Sequence, residues 1–242
     1  MLTDIFSSFD DNNQVFMSLY ILMWLFSLVV IIIFSSSFWM WSPRWSSFIN
    51  LFKSLPSSQV FRSFGVSMGG FMNILISVFL LIVFMNLSGL IPYVFSPTSH
   101  LAISFSFGLP LWLALILSAI FFNPSSVVAS MLPMGAPSFL NPFLVLIETV
   151  SITVRPITLS VRLVANMSAG HIFLALMGNY LMTSLFVSSF FSMLFLLCIQ
   201  IMYTIFEFGI SIIQAHIFCL LITLYSDEHP HYMSINIFKI YT

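Results

Sequence analysis

Residues 139–177 read FLNPFLVLIETVSITVRPITLSVRLVANMSAGHIFLALM, and the folding of this stretch decides the architecture of the chain. It is apolar along nearly its whole length, so it reads as one helix far longer than the roughly 20 residues that cross a bilayer core about 30 Å thick. Three charges interrupt it, Glu148, Arg155 and Arg162, each seven residues after the last. Seven residues turn a helix through about 700°, which leaves successive charges only about 20° apart. Asn166, four beyond Arg162, falls on the same side. These residues form one polar stripe, whose charges span about 21 Å of helix. His171, nine past Arg162, faces another direction.

The apolar stretch from about Leu181 to Tyr225 repeats the pattern. Gln200, Glu207 and Gln214 are spaced by seven, and Glu228 continues the register two intervals later. From Glu207 to Glu228 is about 31 Å of straight helix, close to the full hydrocarbon depth. About 44 helical residues reach about 66 Å, so segments this long must tilt, bend or lie partly across the membrane. An ionisable side chain at a bilayer centre costs about 2.5–3.5 kcal/mol on insertion scales, so those that persist there usually line water or face a partner. If the two segments form an antiparallel hairpin pivoting near Ser188, Arg162 comes level with Gln214, His171 with Glu207, and Glu148 with Glu228. The evident turn signal, Gly178-Asn179, lies off that pivot, so the hairpin needs a bend elsewhere. Glu148 with Arg155 also reads as a structural intramembrane ion pair, and Gln200 as a hydrogen-bonding partner for a neighbouring helix. Arg162 has no acidic residue within four positions and needs a counter-charge from elsewhere.

Composition agrees with a lipid environment. Of 242 residues, 60% are hydrophobic and 5% charged, and the mean hydropathy is +1.11. A soluble domain carries roughly 25% charged residues, and six Lys+Arg with seven Asp+Glu could not coat a water-soluble globule of this size. A net charge of −1 and the lack of any basic patch exclude a nucleic-acid partner.

Three further spans are expected, over about Val15–Met40, Phe71–Leu90 and Leu101–Phe122. The first ends at Trp41-Ser42-Pro43-Arg44-Trp45, an aromatic and basic boundary suited to a membrane interface. Residues Arg44 to Arg62 are mixed and read as an interfacial or loop stretch, with a short helix lying on the membrane surface. The third span stops at Asn123-Pro124, and a loop follows at Met131–Pro137. The expectation is an all-α polytopic membrane protein of about five crossings in a single domain, 1–242. Within it, 1–122 supply peripheral helices and 139–228 a long hairpin. Arg44, Lys53 and Arg62 cluster after the first span, so the positive-inside rule places that connection and the C-terminus near Lys239 inside, and the N-terminus outside.

The N-terminal residues hold Asp4, Asp10 and Asp11 and no Lys or Arg, unlike a signal or transit peptide. The 29 Phe and 15 Met suit an AT-rich organellar genome. Cys198 and Cys219 sit in apolar runs and read as buried or lipid-facing thiols. His229 and His231 superficially resemble metal ligands, but their place beside Pro230 near the end reads better as a solvated tail. His100 and His216 carry no constellation around them. No phosphate loop and no nucleophile–base arrangement is present, so no cofactor, metal or nucleotide site is expected.

Ile147-Glu148-Thr149-Val150-Ser151, Val154-Arg155-Pro156 and the run Leu159-Ser160-Val161-Arg162-Leu163-Val164-Ala165-Asn166-Met167-Ser168-Ala169-Gly170-His171 closely resemble subunit a of the F-type ATP synthase, in its mitochondrial, invertebrate form. Asn86-Leu87-Ser88-Gly89-Leu90-Ile91-Pro92-Tyr93, Thr98-Ser99-His100-Leu101, Ile213-Gln214-Ala215 and Leu224-Tyr225-Ser226 extend the likeness over nearly the whole chain. The resemblance implies a non-catalytic proton-channel subunit of the mitochondrial inner membrane. Its partners would be the c-ring, the peripheral stalk and small membrane subunits, with protons as the transported ion. It implies that Arg162 faces the passing c-ring carboxylate, with Asn166 and Gln214 as polar neighbours. His171 and Glu207 would line the half-channel open to the intermembrane space, and Glu148 and Glu228 the matrix half-channel. Arg155 is common in the invertebrate pattern without a settled role. Residues after about His229 extend past the family's usual end. A sodium-driven version of the same motor, a secondary transporter, a respiratory-complex subunit and a membrane scaffold stand as other readings. The transporter would favour inverted repeats, and none is evident.

Overall fold

The computed structural model describes residues 9, 44–91, 96–132, 139–187 and 190–229. The expected first span (15–40), most of the loop at 131–137, the pivot at Ser188, and His231 and Lys239 lie outside the described residues.

All regular structure among the described residues is helical: α1 (Arg44–Arg62), α2 (Phe71–Gly89), α3 (Leu101–Phe122), the short α4 (Pro124–Ser130), α5 (Asn141–Val187) and α6 (Phe190–Asp227). Single 3-10 turns, Phe64–Ser67 and Pro97–Ser99, lead into α2 and α3. In a bilayer every backbone N–H and C=O must be paired within the protein, and continuous helices do this within one segment. Among the described residues four helices, α2, α3, α5 and α6, are long and apolar enough to cross a membrane.

The structure revises four expectations. Residues 44–62 form one helix rather than a loop with a short surface helix; α1 packs on α2 and α6 and buries Ile49, Pro56 and Val60. Its serines donate to carbonyls three residues back, as Ser54 Oγ does to Leu51 O at 2.7 Å, so their hydroxyls are satisfied inside the helix. Beyond the third span, Asn123 is extended and Pro124 opens the unanticipated helix α4; proline suits a first helical turn, where its missing N–H leaves no bond unmade. Gly178-Asn179 is not a turn. Helix α5 runs through it to Val187, and α6 begins at Phe190. A mid-helix glycine costs about 1 kcal/mol relative to alanine, whereas opening the helix in an apolar medium strands several backbone groups at a few kcal/mol each. The fourth revision concerns the two polar stripes, which do not simply face each other. Over residues 154–170 of α5 the buried positions are Pro156, Leu159, Ser160, Leu163, Met167 and Gly170, and Val154, Thr158, Val161, Arg162, Ala165 and Ala169 are exposed on the other side. On α6, by contrast, Glu207, Ser211, Gln214, Ala215 and Phe218 are all buried.

The core is built where α1, α2, α5 and α6 meet: Val60, Leu75, Phe79, Ile82, Leu159, Leu163, Phe218 and Cys219, among others. Helix α3 packs against α5 and closes the other side. Both cysteines are unbonded, Cys219 buried and Cys198 exposed.

Candidate functional site

The polar side chains of the long helices separate into three levels along the bundle. At the first, α6 presses Glu207 against α5 at Gly170. Both carboxylate oxygens occupy the space a Cβ at that position would take, so only glycine permits the contact. Tyr203, one turn earlier on α6, packs its ring at a 38° tilt on Phe173, 4.4 Å between centroids. His171 follows Gly170 and points toward Gly89 at the end of α2: its Nε2 lies 3.8 Å from where a Cβ on Gly89 would sit. The edge-on ring of Phe9 approaches His171 at 6.4 Å between centroids. Sequence reasoning missed Asn86 here. It is fully buried on α2 and donates through Nδ2 to Ser211 O at 3.3 Å, one turn from Glu207. The available signal was an amide inside an otherwise apolar span, which in a bundle marks a polar contact.

Among the described residues, Asn86 Oδ1, His171 Nε2 and Glu207 Oε2 at this level, and Thr98 Oγ1 before α3, are buried without a hydrogen-bond partner. A polar atom withdrawn from water without a bond costs about 1–3 kcal/mol, so a cluster of such atoms is a place built to be wet or to exchange protons. The structure brings His171 and Glu207 to one cluster without bonding them to each other.

The middle level holds Arg162, exposed on the outer face of α5 among Val161, Ala165 and Ala169. Among the described residues no carboxylate lies within 4.0 Å of it. Counting eight residues along each helix from the Gly170–Glu207 contact brings Arg162 level with Gln214 and Ala215, though Gln214 is turned inward and buried. Asn166 is half-buried one turn from Arg162, and Gln200 is half-buried two turns beyond Glu207. His216, expected to stand alone, lies 2.8 Å through Nε2 from Gln59 Nε2 on α1. The missed signal was Gln59 itself, an amide in a segment taken for a loop.

The third level lies at the far end of the hairpin. Arg155 Nη1 donates to both carboxylate oxygens of Glu228 at 2.8 Å, while Nη2 stands 3.7 Å from Glu148 Oε1. Its guanidinium also lies over the ring of Tyr225, 5.4 Å from the centroid. Arg155 thus reaches both acids expected to stand level with each other, Glu148 and Glu228. The end of α6 is tied to the turn after α1 as well, where Phe64 N–H donates to Asp227 Oδ1 at 2.7 Å. His229, expected in a solvated tail, is 6% exposed and packs against α3 with Nε2 3.1 Å from Ser118 Oγ. All three members of the Arg155 cluster are partly exposed, at 27%, 40% and 60% for Arg155, Glu148 and Glu228. Replacing Arg155 with glutamine is expected to destabilise the protein by no more than about 1 kcal/mol, the range of exposed pairs. A thermal melt of the purified complex measures it, as a small fall in midpoint.

No group of three or more His, Cys, Asp or Glu suited to a metal occurs among the described residues. What the arrangement can do is move or hold charge: two polar clusters at opposite ends, and one uncompensated guanidinium on an outer face between them.

Known proteins match this chain over nearly its full length. It is 38% identical over 240 residues to ATP synthase subunit a of Locusta migratoria, covering 94% of this chain and 99% of the relative. To subunit a of Albinaria caerulea it is 39% identical over 231 residues, covering 95% and 100%. The protein of that name from Artemia franciscana is 36% identical over 239 residues, covering 94% and 100%. The family model for the ATP synthase A chain matches residues 15–227, which include the first two polar levels and, of the third, Glu148, Arg155, Tyr225 and Asp227 but not Glu228 or His229. With helices built to cross a membrane and this match along them, the chain belongs to the ATP synthase A chain family, the proton-translocating membrane subunit of ATP synthase.

Proposed function

We propose that this chain conducts protons through two half-channels that end on either side of Arg162, where each proton is exchanged with a carboxyl group of a rotating c-ring. The observation that carries the reading is Arg162 itself: a permanent charge on the outer face of a membrane helix, with no carboxylate within 4.0 Å among the described residues. An arginine does not deprotonate, so the missing counter-charge belongs on a partner. Ala165 and Ala169 on the same face suit close approach of a neighbouring helix.

The two ends fit the two paths. The cluster around Asn86, His171 and Glu207, with its unpartnered buried atoms, is the entry side, where imidazole and carboxyl can relay a proton near neutral pH. Glu148, Arg155 and Glu228 form the exit side. The turn after α1, which follows Arg62, is bonded to the end of α6, so the basic residues mark that side as the matrix side by the positive-inside rule. The protein is then a multi-pass protein of the mitochondrial inner membrane. A continuous water path between the clusters would dissipate about 2.3 kcal/mol per charge per 100 mV, and the guanidinium between them repels a migrating proton. It also favours ionisation of an arriving carboxylic acid, so that the proton leaves by the exit side.

Cysteine at Asn166, one turn from Arg162, tests the rotor-facing geometry. It is expected to cross-link to cysteines placed along the carboxylate-bearing helix of the c subunit. If no cysteine along that helix cross-links, Arg162 does not face a rotor.

A further inference from the structure

We infer that His229 is the terminal proton carrier of the exit path, passing protons from the Glu228 end of the hairpin to the membrane surface; this rests on the half-channel reading above. His229 is placed for that by three separate features. It is 6% exposed although it lies beyond the end of α6. It is the neighbour of Glu228, whose two carboxylate oxygens are held by Arg155 Nη1. It also lines two adjoining spaces: a cavity of about 100 Å³ bounded by α3, α4, α5 and α6 that contains Arg155, Tyr225 and Glu228, and an open groove of about 470 Å³ between α2 and α3 that contains Ser67 and Ser118. A water needs only about 10–15 Å³ of such space, with polar partners. The imidazole therefore stands between a polar chamber within the bundle and a groove that opens from it.

Its orientation suits transfer. Ser118 Oγ lies 3.1 Å from His229 Nε2 and 2.8 Å from Leu115 O, within hydrogen-bond reach of both, so it holds the ring at the boundary of the two spaces. A proton arriving from the chamber gives an imidazolium; loss of a proton to water at the groove restores the neutral ring, and return of the ring to its starting tautomer completes the cycle with charge and protons balanced. Among the described residues, the ionisable groups around the ring are Asp227, Glu228 and Tyr225 from α6 and its end, and Arg155 from α5 with Glu148 behind it. α2, α3 and α4 contribute none to either space. Among these, imidazole is the side chain whose ordinary titration lies near neutral pH, where a carrier must both load and unload.

The test uses the assembled ATP synthase in membrane vesicles, comparing His229→Asn and His229→Ala with the parent across pH 6 to 9. Asparagine keeps a hydrogen-bonding group beside Ser118 but cannot carry a proton. Proton flux is expected to fall by roughly tenfold or more in both variants, with the complex assembled in normal amount. Added imidazole is expected to restore flux in His229→Ala in proportion to its concentration, since a diffusible base can take over a carrier's task but not a packing contact. Native flux in His229→Asn at every pH, or a loss in His229→Ala that imidazole leaves unchanged, overturns the inference. Native flux in His229→Asn together with lost synthesis in Arg162→Ala overturns this inference alone and leaves the proposed function standing.

Discussion

Coupled ATP synthesis is lost when Arg162 is replaced by alanine, by about a hundredfold or more, the scale seen when a preorganised electrostatic group is removed from a reacting centre. The reason lies in its position. Arg162 is exposed on α5, level with Gln214 by helix register and between the two polar clusters. Without it, nothing at that level repels a proton moving directly from one cluster to the other, and nothing draws the proton off an arriving carboxyl group. The variant is therefore expected to retain a passive leak while losing synthesis. The fold should persist, because the side chain is exposed and the core contacts of Leu159 and Leu163 are on the other face of the helix. Lysine does not substitute fully, since an ammonium in an apolar setting can lose its proton and a guanidinium does not. Synthesis and passive proton flux in vesicles carrying the variant measure the effect. Full coupled synthesis with alanine would sink the assignment of Arg162 as the barrier.

The second large effect is expected at Gly170. A methyl group there overlaps both carboxylate oxygens of Glu207. The overlapping atoms are the far end of a flexible side chain, so the helices need not separate; the carboxylate moves instead. Gly170→Ala should assemble normally and yet lower proton flux by about tenfold or more, through displacement of an acid–base group from its path. Glu207→Gln, which keeps the shape and removes the charge, should give a similar loss with no Cβ clash. Equal flux in Gly170→Ala and the parent would show that the carboxylate's seat against α5 is unimportant. Reduced assembly in Gly170→Ala alone would show instead that the contact is structural.

Much of the fold was legible because lipid restricts the choices. Long apolar runs must become helices when no water is present to pair the backbone, so the boundaries of α2 and α3 follow closely from composition. The full extent of helix α1 was not legible, since its serines suggest a loop around a short helix until their hydroxyls are seen bonded within the helix and Val60 and Pro56 are seen buried. The turn signal at Gly178-Asn179 misled for the same reason in reverse: glycine and asparagine break helices readily where water can satisfy the opened backbone. Candidate site residues were legible where a charge interrupts an apolar run, as at Arg162 and Glu207. Asn86, Gln59 and His229 were not, because a single amide or a histidine near the end has no pattern to mark it.

The sequence by itself determined the helical class, the seven-residue spacing of the charges and the family. These depend only on hydropathy, helix period and residue identity, each local to one segment. Only the tertiary structure decided which way each stripe faces, that Arg155 sits between Glu148 and Glu228, that Glu207 rests on a glycine, and that His229 is buried beside Ser118. Each of these depends on the relative rotation and height of two helices packed side by side. A periodicity of seven is unchanged by turning a helix about its own axis, so it cannot fix that rotation. Packing against the neighbours does.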